Sequence, residues 1–300
     1  MILVLTGPTG VGKSETALSL AKLVHGEIIN GDAFQVYEGL HIATAVPSLA
    51  MQQEVPHHLY SFVPLSESYN IARYQKDARN VLQEVFSRGK TPIFVGGSGL
   101  YLRAALYDYD LSLDTSHVDM TPYEGKSNEE LHAILASLDK KEAAKIPVEN
   151  RRRLLRDIAL CLATGESKSE MLAKQKHEPL YPTKFFVLTE ERATLYPKLD
   201  QRVEKMFHEG LLEETLPLIE RYGRQAPAFQ AIGVKELFPY LDQQISLEEA
   251  IHQIQIDTRH YVKRQETFFR HQFQATMVKN LDEILSALAD CSFFPLEKNV

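Results

Sequence analysis

A glycine-rich segment that ends in a lysine and a serine has the residue types and spacing of a phosphate site. Residues 7–14 match the P-loop pattern G-x-x-x-x-G-K-[ST]. Its glycines let backbone N–H groups turn around phosphate oxygens, and the start of the following helix adds positive potential. Lys13 brings a charge to the terminal phosphates, and the Ser14 hydroxyl is a suitable Mg²⁺ ligand. The predicted oligophosphate site consists of Gly7, Thr9, Gly10, Gly12, Lys13 and Ser14.

The loop does not identify its oligophosphate. ATP and GTP are the usual ligands, but an isoprenoid diphosphate presents the same oxygens. A carboxylate one strand–helix unit further along, Asp32, is predicted to reach the same crevice at the carboxyl ends of the strands. There it can hold Mg²⁺ or act as a general base. An Asp after Gly31 is also common as a plain turn residue.

Short apolar strands alternate with helices around these residues. Strands are predicted at 2–5, 27–30, 92–95 and 184–189, and helices at 14–23 and 71–86. This alternation is typical of an α/β fold in which helices cover both faces of a parallel sheet, as in P-loop NTPases.

The predicted pattern changes in the middle of the chain. Between 111 and 182 helical segments occur without strands, including a capping box at Ser127, so a small all-helical insertion domain is predicted there. The α/β core then comprises 1–110 and 183–300 and ends in helices, the longest of which begins at a second capping box, Ser246.

Composition excludes several classes of protein. The chain has 300 residues, 44% hydrophobic and 24% charged, as in ordinary soluble domains. A net charge of −7 argues against a bulk nucleic-acid binder, although basic residues cluster at 151–156 and 259–270. No membrane span or signal peptide is recognisable, so a cytoplasmic protein is expected. Cys161 and Cys291 alone make neither a disulfide framework nor a Cys-based zinc site.

Two adjacent histidines, His57 and His58, suggest a metal pair at first sight. Neighbouring residues on a strand point to opposite faces, so a structural role is predicted for them instead.

Several further segments resemble one known family. In chain order they are residues 29–37, 56–59, 96–102, 150–153, 230–237 and 258–265. With the P-loop, their order and spacing resemble the bacterial tRNA dimethylallyltransferases (the IPP transferase family) over nearly the whole chain. The resemblance implies transfer of a dimethylallyl group from its diphosphate to N6 of the adenine immediately 3′ of the anticodon.

The resemblance also implies residue roles. The P-loop binds the donor diphosphate with Mg²⁺ as cofactor, and Asp32 is the general base. Ser98 bonds near the diphosphate or the adenine, and Arg202 contacts the diphosphate. The expected partners are dimethylallyl diphosphate and the tRNA anticodon stem-loop, with no membrane, and the protein is expected to be a monomer. The implied tRNA contacts are Asp32, Gln35, Thr44, Arg151, Arg152, Gln230, Gly233, Lys235, Arg259, Lys263 and Arg264.

The basic helix near the C-terminus supports the RNA interpretation through its spacing. Arg259 and Lys263 are four residues apart, and Arg270 falls near the same helical face, so one basic stripe is expected.

Some positions depart from the family pattern, and other functions stay open. Ala33 replaces a serine, Val46 a lysine, Ser61 a carboxylate and Phe268 a tryptophan. The alternatives are an adenylate isopentenyltransferase acting on AMP, a P-loop kinase, and a tRNA-binding protein without turnover. The predicted insertion and basic helix favour RNA over a mononucleotide, and Asp32 favours an enzyme.

Overall fold

The computed structural model describes residues 1–109, 111, 115, 117–175 and 178–289. The chain divides into two compact units. The larger comprises Met1–Leu106 and Tyr181–Val300, and the smaller comprises Tyr107–Leu180.

Within the described residues the larger unit contains a six-stranded parallel sheet in the order β3-β2-β4-β1-β5-β6. The strands are β1 (Ile2–Thr6), β2 (Gly26–Asn30), β3 (His57–His58), β4 (Thr91–Gly96), β5 (Thr183–Leu188) and β6 (Thr276–Val278). The central β1 is buried at every position because helices cover both faces of the sheet.

The first helices of the larger unit are α1 (Lys13–Leu23), α2 (His41–Thr44), α3 (Leu49–Glu54), α4 (Ile71–Ser87) and α5 (Gly99–Leu106). Helix α4 buries Tyr74, Ala78, Leu82 and Val85, whose spacing forms one apolar stripe. It packs on β2 and β4. Helix α1 packs on the same two strands, and its buried residues belong to a separate hydrophobic cluster with them. The loops that leave β1, β2 and β4 therefore meet at one edge of the sheet.

The smaller unit is helical in the part that the structure describes. Its helices are α6 (Thr121–Glu124), α7 (Asn128–Leu138), α8 (Lys140–Ala143), α9 (Arg151–Thr164) and α10 (Lys168–Lys174). Leu131, Leu135, Leu154 and Ile158 form its core. Burial opposes the ionisation of Glu142, but hydrogen bonds from Lys168, Arg153 and Lys145 lower its pKa to about 2.

The remaining helices of the larger unit are α11 (Arg192–His208), α12 (Leu211–Tyr222), α13 (Phe238–Leu241), α14 (Leu247–Gln272) and α15 (Leu281–Ala289). Helix α14 begins at the predicted capping box, in which Ser246 and Glu249 bond each other's backbone N–H groups. It packs along α11. Among the described residues, no helix is both long enough and apolar enough to cross a membrane.

The predicted fold class is confirmed, and each strand and helix predicted in the larger unit is present within a residue or two. The sequence did not predict the two short edge strands, β3 and β6. His57 and His58 lie on β3 with separate partners, Val55 O and Glu27 Oε2, each at 2.7 Å. Cys161 is free and buried, whereas Cys291 lies outside the described residues.

Candidate active site

The P-loop joins β1 to α1 at the carboxyl edge of the sheet. Gly12 caps α1 in a left-handed conformation with φ 85°. Gly7 has φ 144°, and a Cβ there would lie 2.3 Å from the carbonyl oxygen of Leu188. A side chain at this position is excluded, so the loop lies directly against the end of β5.

Lys13 is held inside this loop. Its Nζ donates hydrogen bonds to Pro8 O at 2.8 Å and to Gly7 O at 3.1 Å. Burial lowers the pKa of Lys13 to about 8, a shift that Asp32 opposes and that Arg202 reinforces. The ammonium group is therefore poorly solvated, and an anion placed in the loop would favour its charged form.

Arg202 brings a second cation to the loop from α11. Its Nη1 donates to Thr9 Oγ1 at 3.2 Å. Burial lowers its pKa, and the neighbouring carboxylates Glu15 and Asp32 oppose the shift. A guanidinium remains protonated under these conditions, so Arg202 and Lys13 present two positive charges to one cavity.

Asp32 lies beyond the end of β2, fixed by its own turn. Its N–H donates to Asn30 Oδ1 at 2.8 Å, and its Oδ1 accepts from the N–H of Phe34 at 3.0 Å. Asn30 also donates to Asp32 O and Leu59 O. No described residue forms a hydrogen bond with Asp32 Oδ2 at normal distance, so one carboxylate oxygen is available to a substrate.

Two adjoining cavities meet at Asp32. The phosphate cavity, of about 610 Å³, is lined by Gly10, Lys13 and Ser14 among others. The apolar cavity, of about 240 Å³, is lined by Leu199, Val203, Met206, Ile232 and Ile254 together with polar residues. The residues common to both are Thr9, Asp32, Thr44, Arg202, Met206 and Tyr261. The predicted base thus lies where a phosphorylated ligand and a second ligand would meet.

Ser98, predicted to bond near the diphosphate or the adenine, lies beside the turn that carries Asp32. It lines neither cavity among the described residues. Its Oγ accepts a hydrogen bond from the N–H of Ala33 at 3.1 Å and is also hydrogen-bonded to Tyr261. Through these bonds Ser98 supports the turn that carries Asp32.

Two residues of α14 lie in the site although the sequence assigned them no role. Gln265 is buried, accepts from the N–H of Thr9 and donates to Gly97 O, both at 3.0 Å. A Cβ on Gly97 would lie 2.2 Å from its amide nitrogen, so a larger residue there would displace the Gln265 side chain. Tyr261 lines both cavities, and burial together with Asp32 raises its pKa. Both residues belong to segment 258–265, which resembles the family pattern, so that segment could have identified them as site residues.

Gln35 and Thr44 lie on the wall of the phosphate cavity. Gln35 Nε2 donates to Thr44 O at 2.9 Å and to Ala45 O at 2.8 Å. Both of its amide hydrogens are used within the protein, which leaves Oε1 as the group able to meet an adenine.

The segment 230–237 contributes to the apolar cavity. Gln230 and Lys235 line it, as does Arg264 of α14, whose guanidinium lies 5.6 Å from the ring centroid of Tyr261. Gly233 does not line it but makes the turn, with φ 98°. The predicted tRNA contacts Gln230, Lys235 and Arg264 therefore line the same cavity as Asp32.

Arg259, part of the predicted basic stripe on α14, has an internal partner. Its guanidinium pairs with Asp200, with Nε 3.1 Å from Oδ1, and lies over the ring of Tyr196. The charge of Arg259 is therefore largely neutralised by α11. Lys263 and Arg264 remain exposed and line an open groove with Phe268 and His271.

Arg151 in the smaller unit also has internal partners. Its guanidinium donates to the carbonyl oxygens of Lys126 and Glu124, both at 2.6 Å, and to Asn128 Oδ1 at 3.3 Å. It joins α9 to the start of α7. Arg152 is exposed, so of this pair it is the better placed to contact RNA.

The four departures from the family pattern have different surroundings. Val46 lines the phosphate cavity, and Ala33 offers its N–H to Ser98. Ser61 Oγ is buried and finds no hydrogen-bond partner among the described residues. Phe268 packs so closely on Gly99 that a Cβ there would lie 2.3 Å from its ring. Asp32 itself is present.

The donor set of the loop fits Mg²⁺ held jointly with a substrate. Ser14, Glu15 and Asp32 offer oxygen atoms to the phosphate cavity. Within the described chain, no group of three or more His, Cys, Asp or Glu residues forms a metal-binding cluster. Mg²⁺ commonly takes one or two protein oxygens, substrate phosphates and waters, so a full protein cage is not required.

Comparisons with known proteins agree with one another. A family model described as IPP transferase matches residues 35–272. A tRNA dimethylallyltransferase of Anoxybacillus flavithermus is 40% identical over 286 residues, which are 95% of this chain and 92% of that protein. Its Bacillus subtilis counterpart is 38% identical over 281 residues, 92% of this chain and 89% of that protein.

Solved structures give the same result. A tRNA isopentenylpyrophosphate transferase from Staphylococcus epidermidis superposes with a TM-score of 0.72 and 33% identity, covering 96% of this chain and 98% of that one. A eukaryotic dimethylallyltransferase captured acting on tRNA gives a TM-score of 0.83 and 29% identity, covering 96% of this chain and 76% of that one.

Proposed function

Because the chain belongs to the IPP transferase family, we propose that it transfers a dimethylallyl group from dimethylallyl diphosphate to an adenine of tRNA. The observation that carries the proposal is the position of Asp32 between the phosphate cavity and the apolar cavity. The P-loop lines the first, and the basic residues Lys235 and Arg264 are part of the lining of the second. The acceptor atom is N6 of the adenine immediately 3′ of the anticodon.

The donor lies with its diphosphate in the P-loop. Lys13 exchanges its bonds to the loop carbonyls for bonds to phosphate oxygens. Arg202 and the start of α1 add positive potential at the same point. Mg²⁺, when bound with the diphosphate near Ser14, supplies further charge neutralisation. The five-carbon chain then extends from the loop toward Asp32.

The group transfer forms one carbon–nitrogen bond and breaks one carbon–oxygen bond, and a proton moves from N6 to Asp32. The adenine N6 amine attacks the allylic carbon of the donor as the carbon–oxygen bond to diphosphate breaks. Asp32 Oδ2 accepts the proton that N6 loses. Lys13 and Arg202 stabilise the charge that develops on the departing diphosphate. The adenine reaches this position only after leaving the anticodon-loop stack, at a cost of a few kcal/mol that phosphate contacts offset.

The choice of acceptor is tested by labelled donor. Purified protein is incubated with radiolabelled dimethylallyl diphosphate and Mg²⁺, with unmodified tRNA, its anticodon stem-loop or AMP as acceptor. Label is expected in tRNA and in the stem-loop but not in AMP. Label in AMP alone would identify an adenylate isopentenyltransferase instead, and an ATP-dependent product would identify a kinase.

Donor affinity should fall as pH rises through the pKa of Lys13. The diphosphate binds the ammonium form of Lys13, so the donor affinity is highest below pH about 8. Above that pH the uncharged amine dominates, and the affinity falls by about tenfold per pH unit. Equilibrium titration without tRNA measures this, because the donor is not consumed. Lys13→Arg cannot deprotonate in this range and should show no such fall. An unchanged wild-type affinity across this range would contradict the role of Lys13.

The two exposed cations of α14 should account for salt-sensitive tRNA binding. Lys263→Ala combined with Arg264→Ala should weaken tRNA binding and reduce the slope of log affinity against log salt by about one per lost phosphate contact. Filter binding over a salt series measures the slope. Lys279→Ala, an exposed lysine outside α14, is the control and should leave it unchanged. Equal slopes in all three proteins would show that this surface is merely solvated.

A further inference from the structure

A carboxylate from α12 accepts hydrogen bonds from three consecutive backbone N–H groups at the start of α2. Glu214 Oε2 accepts from His41 and Ile42, both at 2.8 Å, and Oε1 accepts from Ala43 at 3.0 Å. The first N–H groups of a helix have no acceptors within it, and bonds to an ionised carboxylate are stronger than neutral ones. Glu214 therefore fixes the position of α2 relative to α12.

The segment that Glu214 fixes, residues 41–46, is a wall of the candidate active site. Thr44 lines both cavities, and Ala45 and Val46 line the phosphate cavity. On the inner side, Gln35 donates to Thr44 O and Ala45 O. Ala45 has φ 52°, a left-handed conformation that is unfavourable for a residue with a side chain. The surroundings must impose this conformation, and the wall is held from both sides.

We infer that Glu214 is a positioning residue for prenyl transfer, a role that rests on the proposed function. It lines neither cavity among the described residues, so it acts through the wall rather than on a substrate. With the wall in place, Thr44 and Gln35 keep fixed positions relative to Asp32. An adenine that enters the cavities is then held in a single orientation toward Asp32. Without Glu214, three N–H groups lose their acceptor and the wall loses its outer attachment.

Binding of diphosphate in the P-loop should not depend on Glu214. Lys13 bonds the carbonyls of its own loop, and Thr9 is bonded by Gln265 and Arg202. No hydrogen bond joins the P-loop to residues 41–46 in the described part of the chain. A positioning role therefore leaves diphosphate binding intact, whereas a general loss of stability would impair it too.

The chain offers a matched control in the neighbouring residue. Glu213 lies in the same first turn of α12, is exposed, and carries the same charge without bonding α2. Glu214→Ala should lower kcat/KM for the tRNA stem-loop by about 10- to 100-fold through misplacement of the adenine. Its dissociation constant for inorganic diphosphate, which occupies only the P-loop, should match that of wild type, as should both constants of Glu213→Ala. Glu214→Gln keeps one acceptor oxygen, so its kcat/KM for the stem-loop should lie between those of Glu214→Ala and wild type.

Hydrogen exchange gives a readout that does not depend on activity. Backbone N–H groups of residues 41–43 should exchange faster in Glu214→Ala than in wild type or Glu213→Ala, with the P-loop unchanged.

Three results would overturn the inference. Wild-type kcat/KM in Glu214→Ala would show that the wall does not need this carboxylate. An equal loss of affinity for inorganic diphosphate would show a general structural role. Absence of product from the wild-type protein would overturn the proposed function itself, and the role of Glu214 with it.

Discussion

Asp32→Asn lowers the rate of prenyl transfer to tRNA by about 10²- to 10⁴-fold, the usual contribution of a general base. Asparagine keeps an oxygen that can accept the N–H of Phe34, so the turn after β2 survives the change. What is lost is the carboxylate that takes the proton from N6. The single-turnover rate with saturating donor and anticodon stem-loop is the measurement.

The affinity for tRNA separates this effect from a binding defect. Asp32 makes no phosphate contact in the proposed complex, so the dissociation constant for tRNA should stay near the wild-type value. Asp77→Asn is a matched control, because this carboxylate accepts from the Tyr69 hydroxyl and lines neither cavity in the described part of the chain. A wild-type rate in Asp32→Asn would remove Asp32 from the mechanism.

Lys13→Ala should weaken the binding of dimethylallyl diphosphate and slow the chemical step. The ammonium contacts the diphosphate in the ground state and more strongly as negative charge develops on it. Loss of one such group typically lowers kcat by about 10²- to 10³-fold. Equilibrium titration of the donor and single-turnover rates measure the two effects separately.

The control for Lys13 lies on the same helix. Lys22 in the last turn of α1 is exposed and pairs with Glu54, so Lys22→Ala removes an equal charge without touching the loop. It should retain wild-type donor affinity and rate. If Lys13→Ala retained them as well, the diphosphate would have to bind elsewhere in the protein.

Features set by neighbouring residues could be predicted from the sequence. The P-loop needs glycines, a lysine and a serine at fixed spacing, and the structure has these residues between β1 and α1 as predicted. Asp32 follows β2 directly, so the parallel sheet alone brings it to the same edge. The family resemblance is likewise confirmed, because it depends on several short segments in a fixed order.

Features that depend on distant partners could not be predicted. Arg259 has the spacing of an exposed stripe, but Asp200, on another helix, neutralises it. Arg151 looks like part of a basic cluster, yet backbone carbonyls at the end of α6 and just before α7 accept its hydrogen bonds. Glu214 stands among other acidic residues of an amphipathic helix, and only the fold brings it to the N–H groups of α2. No local pattern distinguishes these side chains from solvated ones.

Position-resolved mass spectrometry of tRNA tests whether the protein prenylates the adenosine beside the anticodon. Unmodified tRNA is incubated with the protein, dimethylallyl diphosphate and Mg²⁺, then digested with a base-specific ribonuclease, and the fragments are sequenced by mass. A dimethylallyl group is expected on the adenosine immediately 3′ of the anticodon, present with wild type and nearly absent with Asp32→Asn. Unmodified fragments after incubation with protein that still binds the tRNA would contradict this expectation and identify a binding protein without turnover.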